Sequence, residues 1–356
     1  MFVAGAYIRI FGDFKRWLRN VLVAKRISKW GSPNLIPRES LSTFHSGESM
    51  EDATNNGGAK SNDSTSEDAQ TMSSLVETIG AGKCILFLGA AIHCAPPNGE
   101  YSYSDQYRPT SASTLSADLA RKTGFAKRFP NEGVADLKRV TQDYETKFQR
   151  SELIREIKTA VHVGKKPSPL LQMLAELDFP LVITTNYDQL FEDALRAVGK
   201  KPYVSVFKKN EEVEKMTDDY PFDEDPSANR PFILKIHGDV LEGSSIVITD
   251  EDYIQFVLRM GDKQEYHPVP ETMRFYLKKW PTLFVGYSLR DYNLRLLFKT
   301  LRWKIDRGGF PLAYSVDRSP DPLVFDVYFQ QRRYINFLVQ DLWTFIPELH
   351  KQVKGS

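Results

Sequence analysis

Apolar residues along this chain collect in short runs, and several of those runs end in small, polar or ionisable residues. The stretch Lys83-Cys84-Ile85-Leu86-Phe87-Leu88 is apolar nearly throughout and stops at Gly89. Continuous rather than alternating hydrophobicity predicts a strand covered on both faces, as in a parallel sheet. Similar runs predict strands over 181–185, 232–236, 245–248, 282–285, 311–316 and 334–338. Between them the spacing becomes helical, with Leu115, Leu119 and Ala120 in one segment and Leu153, Ile154 and Ile157 in another. Ser168-Pro169 supplies an N-cap with proline at the first helical position, opening a helix through Leu177. A helix over 188–198 ends at Gly199, and Thr249-Asp250-Glu251-Asp252 has the form of a capping box leading into 253–259. Further helices are expected over 291–303 and from Asp341 onward. Alternation of this kind predicts a Rossmann-like, three-layer α/β domain with a mainly parallel sheet and a helical insertion.

The N-terminal part follows a different pattern. Ile8, Phe11, Phe14, Leu18, Val21 and Leu22 share one side of a helix at about 100° per residue. Residues 1–37 carry seven basic side chains against Asp13 alone, whereas residues 38–72 carry seven acids against Arg38 and Lys60. The basic amphipathic segment suits packing or an oligomer contact, which is favoured over contact with an anionic membrane or organellar targeting. From Thr43 to Met72 the large apolar residues are Phe44, Met50 and Met72, too few to offset the entropy cost of ordering. Residues 38–72 are therefore expected to be a disordered linker, and 73–356 the functional domain.

Composition narrows the possibilities. The 356 residues hold 47 Lys and Arg against 46 Asp and Glu, so no overall charge excess favours nucleic acid, and no sequence-specific nucleic-acid binding is predicted. The only cysteines, Cys84 and Cys94, exclude a disulfide scaffold and a four-cysteine zinc module, and point to a reducing, cytoplasmic compartment. No apolar stretch approaches the ~20 residues of a transmembrane helix.

Four strand ends carry the candidate chemistry: Gly89-Ala90-Ala91, Thr184-Thr185-Asn186-Tyr187-Asp188, His237-Gly238-Asp239 and Gly286-Tyr287-Ser288. In an open parallel sheet, ligands bind outside the carboxyl ends of the strands, so all four would converge on one cleft. Each has a plainer reading as well: Asn186 and Asp188 fit a helix cap, and His237 fits a turn.

In chain order these clusters resemble the sirtuin-like NAD-consuming domains, in particular the short type associated with immunity and anti-phage defence. The resemblance covers roughly residues 75–350, and its most specific motifs are T-T-N-Y-D at 184–188 and G-Y-S-L-R-D at 286–291. It implies an NAD+ glycohydrolase that takes NAD+ as substrate, with no metal. By position, Asn186 would orient the ribose and the attacking water, and His237 would act as general base. Gly89 and Ala90 would set backbone N–H groups against the pyrophosphate, Asp188 would contact the nicotinamide amide, Gly286 and Ser288 would hold the adenosine end, and Ala91 and Thr185 would complete the dinucleotide-binding residues. The resemblance also implies a homo-oligomer, or an ATPase or sensor partner, that relieves an inactive state.

Two departures stand out, because the family carries a second glycine where this chain has Ala91 and a serine where it has His93. With His162, His267 and His350, His93 has no strand-end context and reads as structural or surface. Deacylating sirtuins carry four zinc-binding cysteines that this chain lacks, which demotes protein deacylation. A strand–turn–helix around Ser288 resembles a nucleophile elbow, but Arg290 replaces its second glycine. A module that binds a dinucleotide or a partner without cleavage is the stronger alternative.

Overall fold

The computed structural model describes residues 61–97, 101–207, 225–260, 269–289, 311–326 and 335–355. The amphipathic segment 1–37, residues 38–60 of the expected linker and the expected helix 291–303 lie outside the described residues. Where the linker reading does meet the structure it is corrected, because residues 61–72 form the front of a helix, Ser61–Gly80. Met72, Leu75 and Ile79 fall on one face of that helix and are buried in the core. Their burial stabilises the helix, and its polar upstream turns propagate from it.

Among the described residues the sheet has seven strands: β1 Ile85–Leu88, β2 Leu181–Thr184, β3 Tyr203–Val206, β4 Phe232–Lys235, β5 Thr282–Val285, β6 Ala313–Val316 and β7 Ile335–Leu338. Their order is β3-β4-β2-β1-β5-β6-β7, and every pairing is parallel. Side chains alternate between the two faces. Leu86, Leu88, Val182, Leu283 and Val285 enter one core with the helices Ser61–Gly80, Pro169–Glu176 and Leu342–Lys354. Ile85, Phe87, Leu181, Ile183 and Phe284 enter the other, against Asp250–Met260 and Glu271–Leu277. Because both faces are covered, the central strands read as unbroken apolar runs in the sequence. Among the described residues no helix is long and apolar enough to cross a membrane.

The register sets the site. Leu88 pairs with Thr184 and with Val285, and Thr184 pairs with Lys235, so β1, β2, β4 and β5 end level with one another. The chain leaves β1 for β2 on one side and later returns to β5 on the other, which puts the topological switch between β1 and β5.

The helical insertion comprises Ala112–Thr123 and Leu137–Val161, whose Leu115, Leu119, Val140, Leu153 and Ile157 pack with Val240, Ile246 and Ile248. That last contact explains why the strand expected over 245–248 does not form. Its carbonyls accept from side chains instead of a neighbouring strand: Ile246 O from Arg150, Val247 O from Tyr187 and Ile248 O from Thr141. The capping box just after it forms as expected, Asp252 N donating to Thr249 Oγ1 at 3.2 Å and Thr249 N to Asp252 Oδ2 at 3.2 Å.

Candidate active site

At the switch point the loops after β1 and β5 press backbone against backbone. Gly89 N–H donates to Val285 O at 2.9 Å, and Ala91 N–H to Gly286 O at 3.1 Å. A Cβ on Gly89 would lie 2.5 Å from Gly286 O, and one on Gly286, whose φ is +74°, would lie 2.6 Å from Gly89 O. Both glycines are thus required by the fold itself, before any ligand arrives. The Gly89 and Ala91 N–H groups are also engaged, which corrects the expectation that Gly89 offers its amide to a phosphate. Ala90 and Ala91 stay exposed in a 3-10 turn, Ala90–His93, and Ser288 is exposed on the loop after β5.

The loop after β2 is tied to its neighbours on either side. Thr184 Oγ1 donates to Leu88 O at 2.8 Å and accepts from Asn186 N at 3.0 Å. Thr185 Oγ1 and Tyr287 Oη are 2.8 Å apart, and Thr185 N donates to the same Tyr287 oxygen at 3.1 Å. Asn186 is buried, and its Oδ1 has no hydrogen-bond partner among the described residues. Asp188 Oδ1 accepts at 2.9 Å from the backbone N of Leu190, the first residue of the helix Leu190–Ala197, whose N-cap is Gln189. Asp188 Oδ2 lies 3.3 Å from His93 Nε2, with both side chains buried. Burial pushes the Asp188 carboxyl up, but His93, then Lys235 and the Leu190 amide, outweigh it and hold the group below the usual carboxylate range.

His237 is also buried and stands edge-on to Tyr253 and Phe256, each ring centre 5.2 Å away. Its carbonyl accepts from Val247 N at 2.9 Å. Gly238, at φ +89°, lets the chain turn directly over Ser245, whose carbonyl oxygen would lie 2.4 Å from a Cβ there.

Beneath these loops lies an ionic cluster that sequence reasoning missed. Lys235 is fully buried, and its Nζ reaches Asp239 Oδ2 at 2.6 Å, Glu192 Oε1 at 3.1 Å, Tyr187 O at 3.4 Å and the Asp188 carbonyl. One cation thereby ties the loop after β2 to the loop after β4. Burial works against the Lys235 charge, but Glu192, Asp239 and Asp188 outweigh it and raise its pKa. Burial raises the Glu192 pKa against the pull of Lys235, as expected where three carboxylates share one ammonium. A cavity of about 10 Å3 lined by Thr184, Asn186, Asp188 and Glu192 adjoins the cluster; that is close to the room one water needs. The available signal was a lysine closing an otherwise apolar strand, Phe232-Ile233-Leu234-Lys235.

The structure thus gathers Gly89, Ala90, Ala91, Thr185, Asn186, Asp188, His237, Gly286 and Ser288 along one sheet edge and adds His93, which the sequence had set aside. Among the described residues no group of three His, Cys, Asp or Glu could hold a metal ion.

A parallel sheet with its polar clusters at one carboxyl edge defines the broad class, and residues 180–336 match the family model described as SIR2-like domain. Over that stretch the chain is similar to SIR2-like domains. It is 27% identical over 170 residues to Defense-associated sirtuin 2 of Bacillus subtilis, covering 47% of this chain and 15% of that protein. It is 33% identical over 140 residues to NAD(+) hydrolase ThsA of Enterococcus faecium, covering 39% of this chain and 26% of that protein. With NAD(+) hydrolase ThsA of Acinetobacter baumannii (strain 532279) it shares 25% identity over 229 residues, 64% of this chain and 41% of that protein. The chain thus spans less than half the length of each of these relatives.

Proposed function

We propose that this protein hydrolyses NAD+ to nicotinamide and ADP-ribose and serves as an NAD-depleting effector in antiviral defence. The observation that carries this reading is the joint burial of Asn186, Asp188 and His237 at one sheet edge, over a cluster in which carboxylates outnumber the ammonium. Similarity to proteins named NAD(+) hydrolase supports it.

The chemistry suits such a site. The nicotinamide ring of NAD+ is cationic and leaves as a neutral molecule, so C–N cleavage needs little acid help. It does need a positioned water and negative electrostatics facing an oxocarbenium-like centre. Asp188 and the buried carboxylates supply the field, and the unpartnered Asn186 Oδ1 can accept from the ribose or the attacking water. Water adds at the anomeric carbon as nicotinamide departs, and His237 takes the proton released. Ala90 and Ala91 lie along the pyrophosphate, Thr185 contacts the dinucleotide, and Gly286 and Ser288 hold the adenosine end.

Nicotinamide release from NAD+ by the full chain tests the reading. Asn186→Ala and His237→Ala should each abolish release while NAD+ binding persists; release at the wild-type rate by either variant would refute its assignment. NAD depletion is toxic, so we also propose that the chain works in the cytoplasm and becomes active on assembly, as a homo-oligomer or with an ATPase or sensor. Turnover measured across a concentration series with light scattering should rise as assembly proceeds. A second reading, a dinucleotide-binding module without hydrolysis, rests on Ala91 and His93 standing where the resembling family has glycine and serine; it requires calorimetric NAD+ binding with no nicotinamide released.

A further inference from the structure

The proposed cleavage employs Gly286 and Ser288 but gives Tyr287, between them, no part. Strand order puts β1 between β2 and β5, so the loops after β2 and β5 do not follow neighbouring strands. The Tyr287 side chain crosses that gap. Its ring passes over the end of β1, edge-on to Phe87 with ring centres 5.1 Å apart, and a Cβ on Gly89 would lie 2.9 Å from its Cδ1. On the far side its Oη accepts from the Thr185 N–H at 3.1 Å and stands 2.8 Å from Thr185 Oγ1.

Thr185 lies just beyond β2, where the strand has ended and a backbone amide needs another acceptor. Two successive amides find one in a hydroxyl. Thr185 N–H donates to Tyr287, and Asn186 N–H donates at 3.0 Å to Thr184 Oγ1, which itself donates to Leu88 O. One hydroxyl is thus tied to β1, and the other arrives from the loop after β5. Asn186 Oδ1 has no hydrogen-bond partner among the described residues, so its position rests on the backbone that carries it. A displacement of about 1 Å in a positioned group costs on the order of 100-fold in rate, which makes the anchoring of that backbone a kinetic matter.

Resting on the NAD+ reading above, we propose that Tyr287 is a positioning residue for the cleavage. Its phenol oxygen, reaching from the loop after β5, holds the Thr185 backbone and thereby sets Asn186 against the ribose and the attacking water. The phenol acts through Asn186 and touches no reacting atom in this role. Phenylalanine would keep the ring against Phe87 and Gly89 and lose the oxygen alone, so the anchoring is separable from the packing.

The test uses the full chain with NAD+, following nicotinamide release across a substrate series so that kcat and KM are separated. In Tyr287→Phe, kcat should fall about tenfold while KM stays within about twofold of wild type and the melting temperature stays near it. Thr185→Val removes the Oγ1 contact but keeps the N–H bond, and should lower kcat by a smaller factor. Because phenylalanine already removes both contacts, the double variant should have the kcat of Tyr287→Phe. A wild-type kcat in Tyr287→Phe overturns the proposal, as does a loss confined to KM, the mark of a group that binds the dinucleotide directly. Losses in kcat that add in the double variant overturn it too. If Tyr287→Phe melts far below wild type, Thr185→Val decides alone, and an unchanged kcat there overturns the proposal. A wild type that releases no nicotinamide overturns the functional reading and this inference with it, whereas normal wild-type turnover with an unmoved kcat in Tyr287→Phe overturns this inference alone.

Discussion

Three glycine-to-alanine substitutions separate the two costs that shape the β1–β5 crevice. Gly124, at φ +69°, has nothing within 4 Å of an added Cβ, so Gly124→Ala reports backbone strain alone. That strain is about 1 kcal/mol for a non-glycine residue in the left-handed region. Gly89 has an ordinary φ of −117°, but its Cβ would lie 2.5 Å from Gly286 O and 2.9 Å from the Tyr287 ring. Gly89→Ala therefore reports overlap alone, about 1–3 kcal/mol for forcing packed groups apart. Gly286 combines both costs, with φ +74° and a Cβ 2.6 Å from Gly89 O and 2.8 Å from Ile92 N. Gly286→Ala should cost about 2–4 kcal/mol, the sum of strain and overlap. At roughly 2–4 °C per kcal/mol for a domain of this kind, thermal melting should place Gly124→Ala nearest wild type, Gly89→Ala below it and Gly286→Ala lowest. Relief of the Gly286→Ala clash also displaces the turn that carries His93, so nicotinamide release should fall in that variant. If Gly286→Ala melts with Gly124→Ala, the loops do not press together and the packing explanation for both glycines is wrong.

Other substitutions test the buried cluster and the insertion. Lys235→Met leaves Asp239, Glu192 and two carbonyls without their cation; chemical denaturation should show a loss of about 3–5 kcal/mol, and a loss below 1 kcal/mol would contradict the cluster. Glu192 has a folded pKa raised by burial, so the stability it contributes at low pH is lost as pH rises through the folded value. Glu192→Gln removes that titration, and its melting temperature relative to wild type should become more favourable from pH 5 to pH 8; a constant difference would show that Glu192 does not titrate in this way. Gln149 interrupts the helix Leu137–Val161 at φ 72°, ψ 162°, a conformation suited to glycine. Gln149→Gly should raise stability by about 1 kcal/mol, strain relieved less the added chain entropy, and a lower melting temperature would refute the kink.

Local patterns report what each segment does on its own account. The unbroken apolar runs at β1, β2, β4 and β5 announced strands covered on both faces, and the Thr249–Asp252 box formed both of its reciprocal bonds. The four polar clusters were legible because a parallel sheet exposes the ends of its strands, whatever lies beyond them. Edge strand β3 was not anticipated, because Ser205 breaks its short apolar stretch, and all four of its residues are only half-buried. The stretch 245–248 looked like a strand because it is buried, although what buries it is the insertion rather than a sheet neighbour.

Tertiary structure decided who meets whom. His93 is an ordinary buried histidine in the sequence and becomes a site residue only because register sets it against Asp188. Lys235 and Glu192 are unremarked charges on a strand and a helix until the fold removes water from both and leaves each as the other's partner. Gly89 and Gly286 could each be read as a turn or a ligand loop, whereas their need for each other's missing side chain follows from strand adjacency. By itself, the sequence determined the elements, the layers and the edge where chemistry gathers, since periodicity and caps are local consequences of burial. The pairing of charges and the contact between loops required the tertiary structure, because electrostatics and steric overlap depend on distances that only strand order and register set.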